Sequence, residues 1–210
     1  IKKLIQLKKS VLLIFLVLFV DQLVKIWIKT NMWLGEEKHL VGDWFIIHFT
    51  ENEGMAFGWT LGGENGKLFL SIFRLIACAG IGWYLWTIIK AKMHTGLIVS
   101  ISLVFAGAFG NILDSTFYGV LFSESTSWDP AVFMPAEGGY AGFLHGKVVD
   151  MLYFPIIEGY FPSWFPLWGG EDFVFFRPVF NISDASITVG VSMLILFQKK
   201  YWPKNIEVSA

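Results

Sequence analysis

Charge is what this chain has least of. Only 16% of its 210 residues are Asp, Glu, Lys or Arg, where a soluble domain carries about 25%, so an ordinary water-soluble domain is a poor fit. The formal net charge of −1 excludes a generally basic nucleic-acid binder. Cysteine is almost missing too: Cys78 stands alone inside an apolar run, which excludes a disulfide framework. The four histidines, His39, His48, His94 and His145, show no metal-ligand spacing, and no HExxH, GxSxG or Walker A motif occurs. No serine has a persuasive base beside it. There is no internal repeat and no low-complexity tract. No metal and no cofactor are therefore expected.

What the chain does have is apolar residues in blocks. They make up 55% of it, and four runs approach the roughly 20 residues that cross a bilayer. These runs are about 11–28, 68–89, 97–113 and 182–197. The expected fold is a single all-α membrane domain, residues 1–210, with four transmembrane helices. The first run follows Lys2, Lys3, Lys8 and Lys9, as in a secretory signal. It is long and lacks a small-residue cleavage site, so a retained helix is expected. Lysines also follow the second run (Lys90, Lys92) and the last (Lys199, Lys200, Lys204). Four spans put all three groups on one side, and the positive-inside rule makes that side cytoplasmic.

Outside would then lie the acidic stretch with Glu36, Glu37, Asp43, Glu51, Glu53 and Glu64. It contains Leu40 to Phe49, a β-prone run that predicts a small sheet or hairpin. The segment Ser115 to Phe180 would lie outside as well. It is rich in Gly, Pro and aromatics, so it predicts a long outer loop rather than a helix. Trp128, Trp164, Phe165 and Trp168 are candidates for the membrane–water interface.

Polar residues set in apolar surroundings carry the chemistry. Asp21 and Lys25 are four apart on one helical face, either a structural ion pair with Lys25 snorkelling outward or a support for a site. Ser102, Ala106, Gly110 and Asp114 form a small-residue stripe ending in a carboxylate, with Asn111 on the same face as Asp114. Close helix packing is one reading of the stripe; a polar site at the outer end is the other. Arg74 is expected either to snorkel or to pair with a nearby acid, and Asp21 or Asp114 could serve. Asn52 and Gly54 open a turn-forming stretch. Asn181 suits a helix N-cap with Asp184 three residues on, yet that leaves Asp150, a second lone acid among Val148, Val149 and Met151, unexplained. Two carboxylates close together at a membrane surface cannot both ionise easily and would share a proton. The ionised one would take a proton from water while the neutral one polarises a peptide carbonyl, which hydrolyses a peptide without metal or covalent intermediate.

In chain order, Asp21-Gln22-x-x-Lys25, Asn52-x-Gly54-x-Ala56-Phe57, Gly110-Asn111-x-x-Asp114, Val148-Val149-Asp150 and Phe180-Asn181-x-x-Asp184 resemble the motifs of the lipoprotein signal peptidase (signal peptidase II) family over nearly the whole chain. The resemblance implies an aspartic endopeptidase of the bacterial inner membrane that cuts diacylated prolipoproteins on the N-terminal side of the lipid-bearing cysteine. It implies four transmembrane helices with a small extracytoplasmic sheet cradling the substrate, and inhibition by globomycin. Asp150 and Asp184 would be the catalytic pair. Asp21, Lys25, Asn52, Gly54, Asn111, Asp114 and Asn181 would bind substrate or support the site. Membrane lipid and prolipoprotein are the expected partners, nucleic acid is not, and a monomer is expected.

Two departures stand out. Ser115 occupies the place where the family commonly has arginine, leaving Lys147 or Arg177 to take over any lipid-phosphate contact. The links from Asp114 to Asp150 and from Asp150 to Asp184 are both long. The first, Phe117 to Gly146, is expected to act as a lid over the substrate's lipid end, hinged at Gly138, Gly139, Gly142 and Gly146. Two rival functions are a proton-coupled carrier or channel subunit, whose membrane carboxylates would relay protons, and a non-catalytic membrane assembly factor, whose outer loop would bind a partner.

Overall fold

The computed structural model of the chain describes residues 2–53, 63–175 and 178–202; Gly54, Arg177 and Lys204 lie outside them. Helix α1 (Lys2–Asn31) contains neither glycine nor proline, and its 30 residues extend about 45 Å. Its polarity is inside out. Gln6, Ser10, Asp21, Lys25 and Lys29 are buried, while Leu12, Phe15, Phe19 and Leu23 are more than half exposed. Such a pattern suits hydrocarbon as solvent, where polar side chains must turn to the protein interior.

Helix α2 (Gly63–Lys90) and helix α3 (Thr95–Leu113) follow. At Asp114 the backbone of α3 loosens into a π-helical turn, Asp114–Tyr118, and ends in the short α4 (Gly119–Leu121). Three helical stretches, Lys2–Asn31, Gly66–Lys90 and Thr95–Leu121, are long and apolar enough to cross a membrane. The last run forms α5 (Ile182–Leu196), whose 15 residues reach only about 22 Å against a hydrocarbon layer of about 30 Å. It lies tight along α3. A Cβ on Gly107 would overlap the carbonyl oxygen of Ser183, and one on Gly110 would overlap its hydroxyl. Ser186 Oγ donates to Leu103 O at 2.9 Å, and Ser10 of α1 bonds Ser102 at 2.7 Å. The small-residue stripe of α3 therefore does pack helices, as its spacing suggests.

The two ends of the described chain gather at one end of the bundle. Gln6 Nε2 donates to Met93 O at 3.1 Å. The ring of His94 lies 5.2 Å from that of Tyr201 in α6 (Gln198–Tyr201). Lys3 and Lys90 both lie over the Trp86 ring, each 5.5 Å from its centre.

At the opposite end, β1 (Glu37–Val41) and β2 (Phe45–Asn52) form the expected hairpin. A third strand, β3 (Val148–Tyr153), pairs antiparallel with β2 and sets Asp150 opposite Thr50. Between sheet and helix ends sits a core of Ile28, Met32, Phe49, Tyr118, Phe122, Ala131, Val149 and Met151. Tyr118, Phe122 and Ala131 of that core come from the inserted segment. Ala131 N donates to Lys29 O at 2.9 Å and Leu34 N to Thr126 O at 2.8 Å. Fully buried Lys29 pairs with Glu51 and donates to Ser125 Oγ at 2.8 Å. The segment 117–146 is thus anchored in the core through Tyr118, Phe122 and Ala131, which corrects the expectation that the whole of it swings as a lid; of the proposed hinges, Gly138 and Gly142 do have open space around them. Gly139 and Gly146 serve close packing: a Cβ on either would collide with backbone carbonyl oxygens of Gly119 or Asp114. Beyond β3, β4 (Ile157–Tyr160) pairs with β5 (Asp172–Phe175) in a separate hairpin.

This arrangement predicts a labelling pattern. Cysteines introduced at Lys3, His94 and Lys199 should respond alike to a membrane-impermeant thiol reagent, and opposite to one at exposed Glu137. A mixed response among the first three would break the arrangement of the helices.

Candidate active site

The site is built on one buried ammonium. Lys25 Nζ lies 3.0 Å from Asp21 Oδ2 and 2.8 Å from Asp114 Oδ2, with all three side chains inaccessible to solvent. It also donates to Asn111 Oδ1 at 3.0 Å. Lys25 does not snorkel. The second carboxylate, at the start of the π-helical turn that follows α3, offsets the cost of burying the charge. Gln22 Nε2 reaches Asp114 Oδ1 at 2.9 Å and Asp21 Oδ2 at 3.1 Å, and Tyr118 OH donates to Gln22 Oε1 at 3.1 Å.

The remaining acceptor positions of the two acids hold the neighbouring backbone. Asp21 Oδ1 accepts from Ser183 N at 2.9 Å, and Asp114 Oδ2 accepts from Val149 N at 3.3 Å. Ser183 precedes Asp184 and Val149 precedes Asp150. The ion triad therefore fixes the chain immediately before each of the two expected catalytic acids.

A layer of amides lies above it. Asn111 Nδ2 donates to Asp184 Oδ1 at 2.8 Å, while its Oδ1 also accepts from Asn181 Nδ2 at 3.1 Å. Asn181 Nδ2 donates to Asp150 Oδ1 at 2.7 Å and to Val149 O at 3.2 Å. Asn181 is also the N-cap of α5: its Oδ1 accepts from Asp184 N at 2.8 Å, and its own N–H donates to Asp184 Oδ2 at 3.2 Å. The reciprocal pair is a capping box. Asn52, at the end of β2, donates to Asp150 Oδ2.

The two carboxylates meet in unlike surroundings. Asp150 is 4% exposed on a strand, and Asp184 is partly open in the first turn of a helix. Burial, with the nearby Asp184 carboxylate adding to it, pushes Asp150 up to about 7 against the opposing hydrogen bonds from Asn181 and Asn52. The suggested partners of Arg74 are corrected by the structure: Asp21 and Asp114 both pair with Lys25 instead. Ser115 is buried and donates to Asn111 O at 3.1 Å, turned inward from any lipid contact. Lys147 lies 3.6 Å from Glu124 and 5.5 Å from the Tyr140 ring centre. Among the described residues, no group of three or more His, Cys, Asp or Glu could hold a metal ion.

Sequence reasoning brought together Asp21, Lys25, Asn52, Asn111, Asp114, Asp150, Asn181 and Asp184, and the structure joins all eight in one network. It overlooked Gln22 and the buried Lys29–Glu51–Ser125 cluster. Lys29 was there to be found: it continues the four-residue stripe of Asp21 and Lys25 on α1.

Fold and site together define a helical protein suited to a membrane, with two carboxylates joined by amides at one end of its bundle. The comparisons narrow that class. The family model for signal peptidase (SPase) II matches residues 13–199, so the chain belongs to the signal peptidase II family. A lipoprotein signal peptidase of Porphyromonas gingivalis is 52% identical over 185 residues, which cover 88% of this chain and 80% of the relative. One of Amoebophilus asiaticus is 35% identical over 184 residues, covering 86% and 73%. A solved bacterial membrane enzyme superposes with a TM-score of 0.59 at 25% identity, covering 96% of this chain and 95% of that one. A second gives 0.58 at 26% identity, covering 92% and 94%.

Two stability tests follow. Lys25→Met leaves two buried carboxylates without their cation and should destabilise the fold by about 3–5 kcal/mol, read as a fall in Tm in detergent. For Asp150 the folded state holds its proton more tightly than the unfolded state. The folded protein should therefore lose stability as pH rises from about 4 to about 7. Asp150→Asn removes that loss, so its Tm relative to the parent should be higher at pH 8 than at pH 5. A difference independent of pH would show that Asp150 ionises without penalty.

Proposed function

We propose that the chain is a membrane aspartic endopeptidase that removes the signal peptide from diacylglyceryl-modified prolipoproteins, cutting on the N-terminal side of the lipid-bearing cysteine. Family membership and the names of its relatives support the substrate class. The observation that carries the chemistry is the bridging of Asp150 and Asp184 by Asn181, which donates to both.

In this reading Asp184, the more open acid, is the base. It takes a proton from a water molecule, whose oxygen attacks the scissile carbonyl carbon. Asp150, whose burial beside Asp184 raises its pKa to about 7, is in its protonated form the donor of a hydrogen bond to the carbonyl oxygen as charge develops there. Collapse of the tetrahedral intermediate expels the amine, which takes the proton from Asp184. Asn111 and Asn181 keep the two carboxylates from rotating apart, and Asn52 holds Asp150 from the sheet side.

The same reading makes α5 the fourth membrane helix, counted with α1 to α3 because it runs tight along α3. It puts the lysine-rich end in the cytoplasm and the sheet, as substrate cradle, at the outer face of the inner membrane. The protein would act as a monomer and would be blocked by globomycin-type inhibitors. A carrier subunit would instead show proton flux in liposomes, and an assembly factor would keep working with Asp150→Asn or Asp184→Asn.

Purified protein in detergent should cleave a diacylated prolipoprotein peptide. Asp150→Asn and Asp184→Asn should each abolish turnover, with the double variant costing little more, because groups acting together are non-additive. The pH–rate profile should be bell-shaped, with apparent pKa values belonging to the pair. Near-normal turnover in either single variant would sink the two-aspartate mechanism.

A further inference from the structure

We propose that the hairpin β4–β5 is an interfacial arm whose tip docks into the headgroup layer of the leaflet at the sheet end of the helices. Ten residues form the tip, Phe161-Pro162-Ser163-Trp164-Phe165-Pro166-Leu167-Trp168-Gly169-Gly170, and none is charged. They turn their largest apolar groups outward: Trp164 is 78% and Leu167 88% exposed. The tip is nonetheless ordered. Phe161 N donates to Glu171 O and Gly170 N to Phe161 O, both at 2.9 Å. The rings of Phe161 and Phe165 stack at 5.0 Å, and those of Phe165 and Trp168 at 6.2 Å.

Leu167 carries an extra cost. Its φ of +73° is in the left-handed region, which disfavours any residue with a Cβ by about 1–2 kcal/mol. Glycine would relieve that strain. The leucine keeps a large apolar side chain at the most exposed point of the tip, which points to an apolar environment there.

The arm's root gives its depth. Leu152 N donates to Phe180 O at 2.7 Å and Phe180 N to Leu152 O at 3.0 Å, which closes the base. Phe154 stacks on Phe45 of β2 at 4.7 Å. The neighbouring edge strand β1 lies where α1 leaves the hydrocarbon: the ammonium of Lys38 stands 5.4 Å over the Trp27 ring of α1. Trp27 is half exposed on the helix's apolar outer surface, and Leu40, Val41 and Trp44 of the adjoining β1–β2 hairpin are about half exposed as well. The arm's root therefore adjoins, through Phe154 against Trp44 and Phe45, an apolar rim that begins at the membrane-facing surface of α1. Tryptophan's amphipathic ring suits that depth. Charge resumes at Glu171 and Asp172, on the return strand, where carboxylates stay in water. With no charged group to read a partner's sequence, the tip suits a lipid surface better than a protein.

The arm is also the segment between Asp150 and Asp184. Lipid contact there would hold the site at headgroup depth, where a lipid-bearing substrate arrives; this consequence rests on the peptidase reading above.

The docking can be measured without activity. In a Cys78→Ala background, Leu167→Cys carries an environment-sensitive fluorophore, with Glu137→Cys as reference, in nanodiscs of phosphatidylcholine and phosphatidylglycerol. The label at 167 should be blue-shifted relative to 137 and quenched by lipids doxyl-labelled near the headgroup. Water-like, unquenched emission overturns the proposal. So does a shift that appears only on adding a diacylated peptide, or only at high protein concentration, since the tip would then cover substrate or a second copy. The variant Trp164→Ser/Leu167→Ser/Trp168→Ser should raise KM several-fold in nanodiscs while kcat and the pH profile in detergent persist. Loss of detergent turnover would make the arm part of the site's own structure and overturn the lipid role. A parent that cleaves nothing would sink the peptidase reading and leave the fluorescence to decide the docking.

Discussion

One ammonium between two carboxylates, out of reach of water, is the constraint on which the sheet end of the molecule depends. Removing three charged groups from solvent costs several kcal/mol per ion and is sustained only when each remaining lone pair is used. Here they are used on structure. Asp21 accepts from Ser183 N and Asp114 from Val149 N, so a helix entry and a strand are both tied to a point on α1. Those ties could not be replaced by hydrophobic packing of equal volume, because apolar atoms do not orient an N–H. What the triad contributes is position: it sets where the residues before Asp150 and Asp184 lie.

The buried polar stripe on α1 explains why that position holds at a membrane boundary. Asp21, Lys25 and Lys29 follow one another at four-residue spacing and turn inward together. The first two meet α3, and the third meets Glu51 on β2 and Ser125 in the inserted segment. Glu51 lies in β2 beside Asn52, which bonds Asp150. A single helix face thus sets the bundle at one level and the sheet a turn higher. The added length of 117–146 is absorbed on the same terms, since Phe122 and Ala131 fill the core beneath the sheet.

Much of this was legible in the chain because membrane solvent makes sequence speak plainly. Apolar runs mark α1, α2, α3 and α5 to within a few residues at most ends, though α1 starts well before its run. Any polar residue inside such a run must be accounted for, which is how Asp21, Lys25, Asn111 and Asp114 stand out. The rest depended on contacts between distant segments. Nothing local in Val148–Tyr153 says that it pairs with β2, because a short apolar run reads equally as buried helix or strand. Glu51 looked like one more acid of an acidic outer stretch until its partner was seen. The glycines of the insert resembled hinges because a turn and a close approach demand the same residue; only the carbonyls facing Gly139 and Gly146 separate the two.

The ambiguity at Asn181 resolves differently, for there the two readings of the sequence are both right. As an N-cap it bonds Asp184 N, and Asp184 bonds back, a reciprocal device that ends many helices. The same side chain, through its Nδ2, reaches Asp150 on a strand 31 residues earlier in the chain. Capping fixes the amide's oxygen toward the helix, which leaves its N–H groups aimed at the strand and at Asn111. The helix start therefore does more than end a run of backbone donors: it sets one carboxylate at the positive end of a helix dipole and presents it to another that sits on a strand without such a field. Unequal surroundings for two chemically identical groups are what acid and base roles require. Here that inequality comes from the secondary structure each group stands on.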